Sequence, residues 1–306
     1  VDEFDLIRRF FGRRSKGRGV VTGIGDDGAV LEAQSGFQQV QVIDTLVEGV
    51  HFPSSAGPFD IGFRVVAVNL SDIAAMGAIP RWMTLALTLA SQDEDWVSDF
   101  AAGLFAAADE FDVVLVGGDT TSGGQVVATV HITGEVEAGT ALLRSGARPG
   151  DHIYVSGTVG DAAAGLDLLQ RGARDDALCK RFLRPHARIA LGRQLRGRAS
   201  AAIDLSDGLA GDLAKLLDAS GAGGTVDIEQ LPLSTALGAR FDIDAQRQFA
   251  LAGGDDYELC FTARPADVAD IDGITGIGVV TAGTGLTCRL HGDIVEVDDS
   301  GYRHFQ

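Results

Sequence analysis

Apolar residues recur along this chain with two different periods, and the changes of period mark its elements. Phe4, Ile7, Phe10 and Phe11 have helical spacing, so Asp2 to Phe11 is expected to form a helix. Val40 to Ile43 reads as a strand. From Asp60, the positions Ile61, Val65, Val68 and Ile73 line one helical face, which Gly77 and then Pro80 bring to an end. Trp82 to Ala90 reads as a strand and Asp93 to Phe111 as an alanine-rich helix. Val113 to Val116 follows as a short buried strand and Val126 to Val136 as an alternating one.

Glu137 to Gly150 interrupts this pattern with Gly, Arg and Pro, and is the expected seam between two domains, 1–139 and 140–306. After it come a strand from Ile153 to Ser156, a helix from Gly160 and a helix around Ala187 to Gly197. Ala201 to Ile203 then reads as a strand leading into a helix from Asp207 to Ala219. Short strands at Tyr257 to Thr262, Gly276 to Val280 and Leu286 to Leu290 alternate with short helices. The expectation is an α/β (α+β) protein in two halves of similar size, with no fixed-period repeat.

Composition narrows the class. Hydrophobic residues make up 45% of the 306, enough for a core in each half. No run approaches the roughly 18 apolar residues of a membrane helix. Val1 to Asp5 is acidic rather than basic-then-apolar, unlike a signal peptide. Cys179, Cys260 and Cys288 are too scattered for a disulfide framework or a zinc spacing. A cytoplasmic location without membrane contact is the expectation. The formal net charge of −18 argues against a nucleic-acid partner, which would need clustered cations. It leaves two readings: general solubility, or aspartates gathered on cations.

The placing of the aspartates favours the second. Six sites share an apolar or strand-like lead, small residues and then Asp. They are Gly23-Ile24-Gly25-Asp26-Asp27, Val42-Ile43-Asp44-Thr45, Asn69-Leu70-Ser71-Asp72, Val116-Gly117-Gly118-Asp119-Thr120, Ile203-Asp204-Leu205-Ser206-Asp207-Gly208 and Ala252-Gly253-Gly254-Asp255-Asp256-Tyr257. A carboxylate at a strand end points to the sheet edge, where α/β ligands bind. Mg²⁺ joins one or two such carboxylates to substrate phosphates. Any single Gly-Asp is also ordinary turn or N-cap chemistry; six together point to phosphoryl transfer. Lys16, Lys180 and Lys215 are followed by Gly, Arg and Leu, which excludes a P-loop, and the protein-kinase motifs are absent.

With Leu46-Val47-Glu48-Gly49-Val50-His51-Phe52, Arg144-Ser145-Gly146-Ala147, Tyr257-Glu258-Leu259 and Gly301-Tyr302, these motifs run in order over essentially the whole chain. The chain thereby resembles the thiamine-monophosphate kinase family, within the aminoimidazole-ribonucleotide-synthetase-like superfamily. The resemblance implies a two-domain synthetase-like fold and a homodimer paired through the N-terminal sheets. It also implies Mg²⁺, as several ions, and ATP as co-substrate for phosphorylation of thiamine monophosphate. It further implies metal ligation by Asp27, Asp44, Thr45, Asp72, Asp119, Asp204 and Asp207. Gly118, Asp119, Arg144 and Ser206 would lie at ATP, and His51, Asp255 and Tyr302 at thiamine monophosphate. Arg144 and Asp207 would be the catalytic pair. A guanidinium fork suits phosphate oxygens. Two departures stand out: Val42 and Ile43 replace hydroxyl residues common in the family, and Asp255 stands where the family commonly has Glu. The alternatives are a selenophosphate synthetase or aminoimidazole ribonucleotide synthetase of the same superfamily, or a non-catalytic cation-binding protein. EF-hand spacing is absent, which disfavours the last.

Overall fold

The computed structural model describes residues 3–12, 16–91, 93–173 and 175–297. The chain divides into two units, one of Val1–Ile73 with Ala78–Gly139 and one of Ala74–Gly77 with Thr140–Gln306.

The first unit contains, in order, α1 (Glu3–Leu6), β1 (Val20–Thr22), β2 (Val30–Leu31), β3 (Phe37–Val47), α2 (Pro58–Ala75), β4 (Ile79–Leu89), α3 (Glu94–Glu110), β5 (Val114–Ser122) and β6 (Val127–Glu137). Its main sheet has the order β3-β6-β4-β5, with β4 and β5 parallel and the other pairs antiparallel. Alternation along the strands makes one face a core. Val42, Ile132, Met83 and Leu115 share one cross-strand row, and Leu46, Ala128 and Leu87 share another. Val65, Val66, Val68 and Ile73 of α2 and Val97, Phe100 and Leu104 of α3 are buried with them. Each fully buried large apolar side chain contributes about 1.5–3 kcal/mol. The two helices approach closely because Gly62 and Gly103 lack side chains: a Cβ at either would stand about 2 Å from a carbonyl of the other helix, Phe100 O at 2.0 Å or Phe59 O at 1.9 Å. Asp93 caps α3 by accepting from Asp95 N and Trp96 N, as its position before the alanine-rich run suggests.

The second unit contains β7 (His152–Ser156), α4 (Asp161–Gln170), α5 (Asp176–Leu183), α6 (Ile189–Leu195), β8 (Ala199–Asp204), α7 (Leu209–Ser220), β9 (Gly223–Asp227), α8 (Thr235–Arg240), α9 (Ile243–Ala252), β10 (Leu259–Ala263), β11 (Ile274–Thr281), β12 (Gly285–Leu290) and β13 (Asp293–Val295). Its seven-stranded sheet has the order β13-β12-β9-β11-β7-β10-β8. Ile153, Val155, Ile203, Cys260 and Ile277 meet Leu213, Leu216 and Leu217 of α7 in the core. Helix α5 and strand β9 are among the elements that escape sequence patterning. Helix α5 hides Leu178, Cys179 and Phe182 in a charge-rich stretch. Strand β9 opens with Gly-Gly, which reads as a turn but lets Leu217 pack: a Cβ on Gly224 would stand 2.7 Å from Leu217 Cδ1.

Candidate active site

In the second unit, Asp204, Ser206, Asp207 and Asp255 lie on two backbone segments that face each other. Asp204 ends β8, opposite Leu259 of β10. Beyond that pair the segments continue as an irregular ladder. Leu205 N–H donates to Glu258 O at 2.9 Å, Tyr257 N–H to Leu205 O at 2.8 Å, and Asp255 N–H to Ser206 O at 2.9 Å. Gly254 permits the approach, since a Cβ there would stand 2.4 Å from Ser206 O. Asp255 and Tyr257 adopt φ of 71° and 51°, a left-handed region that Asp tolerates and Tyr disfavours. The Tyr257 hydroxyl donates to Asp255 Oδ1 at 3.3 Å.

The turn at Ser206 and Asp207 has separate support. The amides of both residues donate to the same oxygen, Oδ2 of buried Asp212, at 2.9 Å each. Burial pushes the Asp212 carboxyl above its ordinary range, while Lys215 works against that rise. The Lys215 ammonium bridges Asp207 at 2.5 Å and Asp212 at 2.9 Å. Partial burial disfavours its charge, but its bonds to the two carboxylates outweigh that and raise its pKa. Arg144 is exposed, and the backbone beneath it is pinned. Its carbonyl accepts from Ser220 Oγ at 3.1 Å, and the same hydroxyl accepts the amides of Gly146 and Ala147. The neighbouring Leu143 carbonyl accepts from Ala202 N of β8 at 2.9 Å. Tyr302 lies outside the described residues.

In the first unit, Asp27 is exposed between β1 and β2. His51 is partly buried, and its Nδ1 accepts from Val47 N at 3.0 Å, which locks the ring to the end of β3. The expectation that Asp44 and Asp119 sit at strand ends is corrected here: they lie inside β3 and β5, whereas Asp72 lies inside α2, as the helical spacing from Asp60 predicts. The strands run past these residues because their neighbours are long enough to supply ladder partners as far as Val127 and Leu89. Thr45, Thr129, Ala86 and Asp119 form one cross-strand row on the outer face, with Thr45 Oγ1 2.8 Å from Thr129 Oγ1. Asp44 shares its row with buried Val130 and Leu85, on the opposite face.

Two families describe most of the chain: AIR synthase related protein, N-terminal domain, matches residues 25–136, and its C-terminal domain matches residues 148–290. The thiamine-monophosphate kinase of Salmonella typhimurium is 47% identical over 99% of this chain and 98% of its own length. The chain belongs to the thiamine-monophosphate kinase family. The solved structure of the thiamine-monophosphate kinase from Stenotrophomonas maltophilia K279a superposes with a TM-score of 0.88 at 43% identity, covering 96% of this chain and 98% of that one. AaThiL complexed with AMPPCP and TMP superposes with a TM-score of 0.82 at 33% identity, covering 99% and 96%.

For a member of this kinase family, the donor chemistry suits Mg²⁺ in one particular mode. Among the described residues, no group of three or more His, Cys, Asp or Glu is arranged to hold a metal ion. Mg²⁺ is commonly anchored by one or two carboxylates and completed by waters and substrate phosphates, and the separate carboxylates here fit that mode. The Lys215 ammonium already pairs with the Asp207 carboxylate, so a cation is accommodated at that position. Sequence reasoning missed Asp212 and Lys215, and the bonds that Asp256 makes to the start of α4. Asp212 stands one turn into a helix after Asp207, a spacing at which a carboxylate can reach back to bare amides, and that was the available signal.

Among the described residues, no helix is long and apolar enough to cross a membrane. The three cysteines are buried.

Proposed function

We propose that this chain transfers the γ-phosphoryl group of ATP to the phosphate of thiamine monophosphate, giving thiamine diphosphate and ADP. The near-full-length identity to the Salmonella typhimurium kinase carries the reading. The likeness to AaThiL complexed with AMPPCP and TMP supports both ligands. A phosphate oxygen of thiamine monophosphate attacks γ-phosphorus in line, and the bond from γ-phosphorus to the β–γ bridging oxygen breaks. The acceptor oxygen is already anionic at neutral pH, so no side chain need remove a proton. Catalysis then rests on holding two anions together and spreading their charge.

The residues divide that work. Ser206, Gly118, Asp119 and Arg144 contact ATP, and the Arg144 fork binds phosphate oxygens as charge develops. His51, Asp255 and Tyr302 hold thiamine monophosphate, where the Asp255 carboxylate complements its cationic thiazolium or its amino group. Asp27, Asp44, Thr45, Asp72, Asp119, Asp204 and Asp207 would hold Mg²⁺, with Asp207 among the catalytic groups. When bound, Mg²⁺ neutralises charge on the phosphate oxygens. Residues 1–139 serve ATP, metal and dimer contacts, and residues 140–306 complete the site.

The same reading includes a homodimer in a reducing cytoplasm. Ile43 is 64% exposed on the outer face of the first unit's sheet, beside the row of Thr45, Thr129 and Ala86. Thr45 and Asp119 stand on the two outermost strands, three strand spacings or about 14 Å apart. One Mg²⁺, with ligands near 2.1 Å, spans at most about 4 Å between them. A second copy that lays its β5 against β3 of the first would bring the two residues together.

Release of ADP, followed with thiamine monophosphate, thiamine, selenide and no acceptor, tests the activity. Turnover that is specific to thiamine monophosphate, abolished by EDTA and restored by Mg²⁺ is the expected result. Equal turnover with selenide, or undiminished turnover in excess chelator, overturns it.

A further inference from the structure

Glu258 is fully buried in the second unit, yet carries four polar contacts. Arg188, at the start of α6, grips it with both arms of its fork: Nε to Oε2 at 2.6 Å and Nη2 to Oε1 at 2.5 Å. Arg181 of α5 adds Nη2 to Oε1 at 2.8 Å, and Ser156 Oγ at the end of β7 donates to Oε2 at 2.5 Å. The backbone is shaped around the cluster. Gly157 has φ of 56°, and a Cβ there would stand 2.4 Å from Glu258 Oε1 and 2.5 Å from Arg188 Nη2. The bond to Glu258 raises the Arg188 pKa despite the cost of burial.

Such a cluster is a poor device for stability alone, because burying ions costs about as much as their pairing returns. Its position suggests another use. Glu258 O accepts the Leu205 amide, and the loop just before it carries Tyr257 and Asp255 in left-handed conformations. Arg181 Nη2 also reaches the Asp256 carbonyl at 3.4 Å. The fork therefore fixes the C-terminal root of the loop that presents Asp255.

We propose that Arg181 and Arg188, acting through Glu258, are positioning residues that hold the Gly253–Tyr257 loop against Leu205 and Ser206 and so set affinity for the phosphate-ester acceptor. This rests on the kinase reading for the identity of the acceptor, though not for the mechanical role. The Ser206–Asp207 turn has its own support from Asp212, so loss of the clamp falls mainly on Asp255 and spares ATP.

Arg188→Lys keeps the charge and loses the fork, and Arg181→Met is the milder second variant. Amide hydrogen exchange is measured at Asp255 and Tyr257, with Cys260 and Phe261 inside β10 as internal controls, alongside KM for both substrates. The expected result is at least tenfold faster exchange at Asp255 and Tyr257 with the β10 amides unchanged. KM for thiamine monophosphate should rise about tenfold or more, with KM for ATP within about twofold. Unchanged loop exchange in both variants overturns the proposal, as does a uniform loss of protection with both KM values unaltered. A wild-type chain inactive on thiamine monophosphate would sink the kinase reading instead, and the exchange data would still decide the clamp.

Discussion

The amide of Asp255 donates to the carbonyl of Ser206 across 2.9 Å, joining two segments that carry candidate site residues of the second unit. Because Asp255 sits at φ 71°, its side chain leaves the backbone in a direction that an extended residue would not take. Asp255→Asn keeps that conformation and removes only the charge. It should raise KM for thiamine monophosphate by about tenfold or more, consistent with loss of a charged hydrogen bond of roughly 1.5–3 kcal/mol, and leave KM for ATP nearly unchanged. Asp255→Glu should retain activity but melt at a lower temperature, since Glu tolerates the left-handed region less well than Asp. Steady-state kinetics with thermal melts separate the two effects.

Asp212 offers a contrast between two substitutions. Both donated amides share Oδ2, so the single amide oxygen of Asp212→Asn can still serve them; its amide nitrogen then faces the Lys215 ammonium that Oδ1 had accepted, so activity should fall, but by less than in Asp212→Ala. Asp212→Ala leaves the Ser206 and Asp207 amides without this acceptor, at about 1–3 kcal/mol each. It should lower the melting temperature and cut kcat at least tenfold. Equal behaviour of the two variants would show that the acceptor does not organise the turn.

Asp256 predicts a pH dependence of stability. Its carboxyl accepts from Gly160 N at 2.6 Å and Ala162 N at 3.2 Å at the start of α4, and burial raises its pKa to about 7 against those bonds. Below pH 3.8 both the folded and unfolded chains hold this proton. Between about pH 4 and 7 the unfolded chain releases it first, so the Asp256 contribution to stability is lost as pH rises. The change is at most roughly 4 kcal/mol over that window. Asp256→Asn, which also loses one acceptor, should be markedly less stable than wild type near pH 4, and the gap should narrow by pH 7. Denaturant unfolding across that range measures it. A constant gap would rule out titration of Asp256.

The proposed dimer can be tested by mixing. Asp119→Asn and Thr45→Ala subunits, each inactive as homodimers, should regain up to about half of wild-type activity per site when co-assembled, because one interface then carries both native residues. Failure to regain activity in verified heterodimers would place Thr45 and Asp119 in separate functions.

Arg144→Lys keeps a positive charge on the pinned backbone but loses the planar fork. KM for ATP should rise, or kcat fall, by roughly 1.5–3 kcal/mol of transition-state stabilisation. Wild-type kinetics would return Arg144 to an ordinary solvated side chain.

How much of this was legible in advance follows the range of the interactions involved. The spacing of Ile61, Val65, Val68 and Ile73 announced α2, and Asp93 announced the start of α3, because helices depend on neighbours within a turn. The ordered motifs likewise named the family without any geometry. Tertiary structure alone decided that Asp44 and Asp119 lie inside strands and face opposite sides of one sheet, since strand order and register depend on partners far away in sequence. It alone brought Arg181 and Arg188 onto Glu258 across 77 and 70 residues. Such contacts leave no periodic trace, because a single buried ion pair is set by where the backbone folds back rather than by local pattern. The residue types of the candidate site were therefore written in the sequence, and their faces and supports were determined by the fold.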